Sequence, residues 1–470
     1  MTREVDVAIL GAGSAGLYAL TQIKKLTSNF VLIDGGELGT TCARVGCMPS
    51  KALIQVAEDF HRKSIFPREG IDGGEQLSID YAEAMEHVQD LRDNFVDRTL
   101  NHSIDQLEEG KLIEANAHFV DAHTLETDDG DTIHARRFII ATGSSPVVPE
   151  AWQAFSDCIL TTDELFELEE LPASMAVIGL GVIGLELGQA LKRMGLEVTG
   201  FDMQERIGGI VDDAINAAAI ETLGKEIPLV LGQEVKLSEA TDGKIQVSAG
   251  DTTVVVDKVL ASLGRRPNTD SLNLAAAGIQ VDARGIPVYD PHTMQIGDSH
   301  MFIAGDVTGE LAILHEAGVE GRIAGYNAMQ DQVRAFKRKT PLSIIFSDPN
   351  IVSVGASLAE LDPDSIVIGE MPLPPVGRAL IMGKNKGLIR VYGEKSTGRI
   401  LGACMASIKG ENLGHLLCWC IEMGLTVDQI LRMPFYHPVL EEALQAALYN
   451  LRSQLDLPHT DWPMELEPVA

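Results

Sequence analysis

The stretch Val5–Gly16, VDVAILGAGSAG, reads as a buried apolar strand that enters a Gly-x-Gly-x-x-Gly turn and leaves it as a helix. It is echoed at Ser174–Gly184, SMAVIGLGVIG, in a chain of 470 residues. A second apolar run follows each copy and ends in an acid, FVLID at Asp34 and EVTGFD at Asp202. In both copies that acid lies 23 positions after the first glycine, 34 less 11 and 202 less 179. The first glycine permits the tight turn, the second lets the backbone approach a pyrophosphate, and the third lets helix and strand pack closely. The helix N-terminus then faces the anion, and the acid accepts from a ribose hydroxyl. One such turn is a weak signal. Two, each in strand–turn–helix context with an acid at the same offset, imply two dinucleotides on two α/β units. Gly11, Gly13, Gly16 and Asp34 serve the first, and Gly179, Gly181, Gly184 and Asp202 the second.

Between the copies an amphipathic helix is expected over residues 81–106, followed by short strands that end in FIIATGSSP, Phe138–Pro146. From about Thr340 the texture changes to strands IIFSDP, GLIRVYG and GRILGACMA, with a turn at Ser396–Gly398, then helices from Asn412 to the end. The third part is thus an α+β module after two α/β ones. A chain of this length suits two to four domains.

Lys and Arg number 37 against 68 Asp and Glu, for a formal charge of -31, which repels nucleic acid. The ordinary reading is a solvated acidic surface, with a basic partner easier to accommodate. No apolar run approaches the roughly 18 residues of a membrane span. A strand pattern beginning almost at the first residue leaves no room for a secretory signal, so a cytoplasmic protein without membrane attachment is expected.

Of six cysteines, Cys158 and Cys404 lie in apolar surroundings that suit small buried thiols. Cys418 and Cys420 fall about 200° apart on a helix, as core packing allows. Cys42 and Cys47, in TTCARVGC, demand chemistry. In an ideal helix residues five apart sit about 8.6 Å from each other, beyond the roughly 7 Å bridging limit. A bridge therefore needs distorted backbone, for which Gly46 supplies freedom. No nearby residues complete a zinc or iron–sulfur set, and no metal is expected. A redox disulfide and an inert thiol pair are the readings left.

Two nucleotide units with Cys42-x4-Cys47 just beyond the first resemble the flavin- and nicotinamide-dependent disulfide reductases, over nearly the whole chain. GTTCARVGCMPSK resembles that family's redox motif, FIIATGSSP and MFIAGDVTG its flavin contacts, LGRRPNTD its link after the nicotinamide domain, and HPVLEE its His-Pro motif. The resemblance implies two Rossmann-like dinucleotide-binding domains, for FAD and NAD, plus a C-terminal α+β dimerisation domain. FAD would take residues 1–146 and 267–339, NAD residues 147–266, and the homodimer interface residues 340–470.

The resemblance also implies the roles of side chains. Cys42 would exchange with substrate and Cys47 would face the flavin. Lys51, paired with Glu186, would sit near flavin N5, the alternative being an ordinary exposed helix lysine. Thr142, Gly143, Asp306, Ala312 and His315 would complete the FAD site, and Glu186 and Gly264 the NAD site. His437, otherwise a surface or cap residue, would be the general base oriented by Glu442, with Pro438 at the first position of a helix. It would act in the partner's site, so that each site uses both chains.

Within the family the chain resembles the dihydrolipoyl dehydrogenase branch. Asp202 is acidic where NADP users carry arginines, Val182 and Ile183 stand in place of a Tyr-bearing turn, and LAILHEAGVEG matches a His-containing segment. A mercuric reductase would be expected to end in a cysteine pair, where this sequence ends in ELEPVA. The implied reaction oxidises a dihydrolipoyl group on a carrier domain with NAD+, on the acyltransferase core of a 2-oxo acid dehydrogenase complex. The alternative is NADH-dependent reduction of another small disulfide. Thr40, Ala43, Arg44, Val439 and Glu441 depart from the family pattern, and Arg44 is expected to alter the electrostatics beside the cysteines.

Overall fold

Strand β1 (Thr2–Leu10) pairs in parallel with β2 (Phe30–Ile33) and with the strand Thr132–Ile140. Its last four residues are buried, as a parallel sheet covered on both faces requires. The turn at Gly11–Gly13 carries the chain into α1 (Ser14–Ile23), which packs on the late helix Leu314–Asn327. Strands Leu112–Ile113, Thr124–Thr127, Ala117–Asp121 and Met301–Ile303 complete a seven-stranded sheet. The computed structural model describes residues 2–458, together with Trp462, Pro463, Leu466 and Val469.

The second copy repeats this logic in a parallel sheet ordered Leu229–Leu231, Glu197–Asp202, Ser174–Ile178, Lys258–Ala261, Ile159–Leu160. It is an insertion in the first unit. The outgoing strand Ser144–Pro146 and the returning strand Arg265–Pro267 pair antiparallel, and Met301–Ile303 then rejoins the first sheet beside Phe138–Ile140. The third unit is a five-stranded antiparallel sheet whose inner face buries Val352, Val391 and Met405 against helices Gly410–Glu422 and Glu441–Ser453. The two α/β units and the α+β module are therefore as the sequence implies.

Several details differ. The amphipathic helix ends at Ser103; Asp80 caps its start by accepting from the Ala82 and Glu83 amides. The last described helix stops at Ser453, and most of the expected helical tail after residue 458 lies outside the described residues. Cys404 is buried, but Cys158 is only half-buried, its thiol donating to the Gly243 carbonyl at 3.4 Å. Cys418 and Cys420 are also half-buried, packed against the third unit's core. Among the described residues no helix is long and apolar enough to cross a membrane.

Candidate redox site

The two cysteines are separated by a break in the helix. α2 (Thr41–Arg44) ends before Val45, and α3 (Cys47–His61) starts anew after Gly46, whose backbone is non-helical at φ -127°, ψ -118°. A Cβ at Gly46 would lie 2.8 Å from the Thr41 carbonyl oxygen and 3.2 Å from the Cys42 Cα, so the close approach there needs glycine. Thr40 precedes α2 at φ 68°, in the region that favours glycine, and its Oγ1 accepts from the Ala43 amide at 3.3 Å. The pair is held as free thiols.

Their protonation is divided. The proton that Cys42 donates to Cys47, together with burial, pushes the Cys42 thiol well up. The same hydrogen bond, helped by the Lys51 charge and opposed by burial, lowers Cys47 to about 7. Lys51 lies one turn beyond Cys47, and its Nζ is 2.7 Å from Oε2 of Glu186, which is 4% exposed. Glu186 comes from the helix Val182–Met194 of the second unit, and its Oε1 accepts from the Phe346 amide of the third at 2.8 Å. A thiol, a cation and a carboxylate from two units thus meet at one site.

All of them face a cavity of about 1500 Å³, larger than the roughly 300–1,000 Å³ of a pocket for one small ligand. At one end it reaches Gly13, Asp306, Ala312 and His315, at the other Gly181, Asp202 and Gly264. Cβ atoms on Gly13 or Gly181 would meet nothing within 4 Å, whereas on Gly11, Gly16, Gly179 and Gly184 they would strike backbone oxygens at 2.2, 1.9, 2.3 and 1.9 Å. The middle glycine of each turn is therefore open to a ligand while its neighbours are closed by packing. α1 and the Val182 helix each start there with no side-chain cap, leaving amides for an anion. The residues present fit two dinucleotides.

Each acid also does something the motif reading missed. Asp34 Oδ2 accepts from the Ala12 amide at 2.5 Å, and Asp202 Oδ2 from the Leu180 amide at 2.7 Å. The second oxygens accept from Gly36 and Gln204, both at 2.8 Å. The acid thus staples its own glycine turn and retains a lone pair on each oxygen for a ribose. Thr142 Oγ1 donates to the Asn268 carbonyl at 2.7 Å, and the Gly143 carbonyl accepts from the Asn268 amide at 3.0 Å. Asp306 accepts from Ser144 Oγ at 2.9 Å, and Arg265 Nε donates to the same hydroxyl at 2.8 Å. Asn268 and Arg265 fall within LGRRPNTD, where their spacing carried no signal of these contacts. His315 is half exposed, 3.7 Å from Glu316.

His437 is not among the residues lining the cavity. It is 81% exposed, with Nδ1 2.8 Å from Oε1 of Glu442, whose carboxylate is held below its ordinary range by that bond and by the Val439 amide. Pro438 is not the first helical residue. It follows a cis bond, and the helix begins three residues later at Glu441, where Glu442 occupies the second position. Arg44 also departs from expectation. Its guanidinium pairs with Glu37 and lines a separate polar cleft of about 360 Å³ with Arg92, Asp93 and Glu167, and it does not line the cavity that the cysteines face. Among the described residues no His, Cys, Asp or Glu cluster is arranged to hold a metal ion.

Comparison with known proteins adds the following. Residues 5–321 match the family model described as pyridine nucleotide-disulphide oxidoreductase, and residues 342–448 match that family's dimerisation domain. The chain is 31% identical to a dihydrolipoyl dehydrogenase of Geobacillus stearothermophilus over 94% of this chain and 96% of that one. It is 29% identical to a mercuric reductase of Staphylococcus aureus over 91% of this chain and 79% of that one. In fold it is similar to the copper(II) complex of RclA, an HOCl-induced flavoprotein disulfide reductase of Escherichia coli, with a TM-score of 0.82 at 24% identity, covering 96% and 99% of the two chains.

Proposed function

The chain belongs to the pyridine nucleotide-disulphide oxidoreductases, dimeric enzymes that use FAD and NAD(H), and from that premise we propose that it is a dihydrolipoyl dehydrogenase. The observation that carries the reading is the divided thiol pair, Cys42 pushed up and Cys47 lowered to about 7 beside Lys51, facing a cavity that runs to the second glycine turn. The site residues are assigned accordingly. Gly11, Gly13, Gly16, Asp34, Thr142, Gly143, Asp306, Ala312 and His315 hold FAD. Gly179, Gly181, Gly184, Asp202 and Gly264 hold NAD.

In the oxidised enzyme Cys42 and Cys47 form a disulfide. His437 of the partner subunit, oriented by the carboxylate of Glu442, removes a proton from a dihydrolipoyl thiol. The resulting thiolate attacks Cys42 Sγ, the Cys42–Cys47 bond breaks, and Cys47 leaves as a thiolate stabilised by Lys51. His437 passes the first proton to Cys42 as it leaves and takes the proton of the second dihydrolipoyl thiol in its place; that second sulfur attacks the first, the mixed disulfide breaks and the lipoyl ring closes. Two electrons now reside on the cysteine pair. When bound, FAD supplies their relay to NAD+. Lys51 and Glu186 keep a positive charge beside Cys47 throughout. The substrate is a dihydrolipoyl group on a carrier domain, and the -31 charge suits a basic docking segment on an acyltransferase core.

Steady-state rates test this directly. NADH formation from dihydrolipoamide and NAD+ is expected to exceed NADH-driven reduction of glutathione disulfide and other small disulfides. The reverse ranking would overturn the reading in favour of an NADH-dependent reductase.

A further inference from the structure

We propose that Phe346 is a positioning residue for the redox pair, its ring and its backbone N–H together holding the Lys51–Glu186 ion pair against Cys47. The inference rests on the assignment of Cys47 as the ionised thiol.

The loop that follows strand Leu342–Ile345 of the third unit lies along one face of the Val182–Met194 helix. The Phe346 amide donates to Glu186 at 2.8 Å, the Asp348 amide to Gln189 Oε1 at 2.7 Å, and the Asp348 carboxylate meets Arg193 Nη2 at 3.1 Å. Glu186, Gln189 and Arg193 are spaced by three and four residues, so the loop is pinned along successive turns of a single face. Lys384 adds a further tie to Asp348 at 2.9 Å. The Phe346 ring is thereby fixed over Lys51, with Nζ 4.7 Å from its centroid.

Two consequences follow. Glu186 is buried, so without the Phe346 N–H its Oε1 would lack a donor and the carboxylate would turn toward Lys51. The negative face of the ring gives the ammonium, already 2.7 Å from Glu186, a second attraction that holds the side chain in this one position beside Cys47. An aliphatic side chain of similar size packs equally well but exerts no such pull. The titratable groups acting on Cys47 are Cys42 from α2, Lys51, and Glu186 from the Val182 helix; Asp306, Glu310, His315 and Arg265, with Asp202, Glu234, Lys236 and His415, line the same cavity, and Asp348, on the Phe346 loop, is countered by Arg193 and Lys384.

The test is a pH titration of the long-wavelength thiolate-to-flavin absorbance in the two-electron-reduced holoenzyme. Phe346→Leu is expected to raise the midpoint by about half a pH unit, and Phe346→Tyr to leave it at the wild-type value. Phe346→Met repeats the loss of the ring should the leucine variant fail to fold. In a Lys51→Met background, Phe346→Leu is expected to shift nothing further. A midpoint that stays put or falls in the leucine and methionine variants, or a shift that persists without Lys51, overturns the inference alone. A wild-type midpoint near the ordinary thiol value of about 8.5 overturns the assignment of Cys47 first.

Discussion

Lys51 and Glu186 form one ion pair, yet neutralising its two members should move Cys47 in opposite directions. Lys51 is four residues beyond Cys47 in α3, which puts the two side chains about 6 Å apart on one helical face. At an effective dielectric constant of about 20 a unit charge at that distance contributes roughly 3 kcal/mol, or about two pH units. The Lys51 side chain is 35% exposed, and solvent screens part of this, leaving about one unit. Lys51→Met should therefore raise the Cys47 midpoint from about 7 to about 8 or above. Glu186, paired with that ammonium, opposes the thiolate, so Glu186→Gln should lower the midpoint, by about half a unit. The assay is the pH dependence of thiolate-to-flavin absorbance in the reduced enzyme, with flavin content measured for each variant. Shifts of the same sign in both variants, or no shift in Lys51→Met, would refute the charge reasoning.

Three further predictions concern the frame around this pair. Asp212 is buried and accepts from Arg390 Nη1 at 2.6 Å, Tyr392 Oη at 2.7 Å and two helix amides, so Asp212→Ala should cost about 3–5 kcal/mol in denaturant unfolding by removing all four bonds and leaving Arg390 only the half-exposed Glu370 at 3.4 Å; a loss below about 1 kcal/mol would contradict this. Mixing inactive His437→Gln and Cys42→Ser chains should restore about a quarter of wild-type activity, because a mixed two-fold dimer carries one intact site if the histidine acts across the interface; no recovery after verified subunit exchange would assign it to its own chain. Burial alone would raise Asp348, but Lys384 and Arg193 hold it below its ordinary value. Its stabilising effect is therefore present above about pH 4 and lost as pH falls through the folded-state value, so Asp348→Asn should flatten the acid limb of a stability–pH curve. An unchanged limb would show that another group sets it.

What could be read from the sequence was local, and what could not was brought together by tertiary contact. The strand, glycine turn, helix and terminal acid sit within 30 residues, Val5 to Asp34 and Ser174 to Asp202, and obey fixed periods, so both copies were readable. The break at Gly46 was foreseeable because helix geometry forbids the bond that chemistry requires. Phe346 was not, since it reaches Glu186 from another unit 160 positions away and a lone aromatic after a strand has no distinctive pattern. The stapling of each glycine turn by its acid was missed because the motif explains the acid by its ligand. Pro438 was misread because proline suits the first helical position as readily as the turn it forms here. Arg44 was misread because its partner, Glu37, is an exposed acid in a chain full of them.

The account turns on Cys42 and Cys47 taking two electrons from a dihydrolipoyl dithiol and presenting them at the flavin. Anaerobic titration of the holoenzyme with dihydrolipoamide, followed by NAD+, tests this most directly in wild type and Cys47→Ser. Wild type should develop the long-wavelength band and then form NADH in step with the dithiol added, while the serine variant retains bound FAD and never develops the band. A band that persists in Cys47→Ser, or a wild type that dihydrolipoamide fails to reduce, would contradict the account.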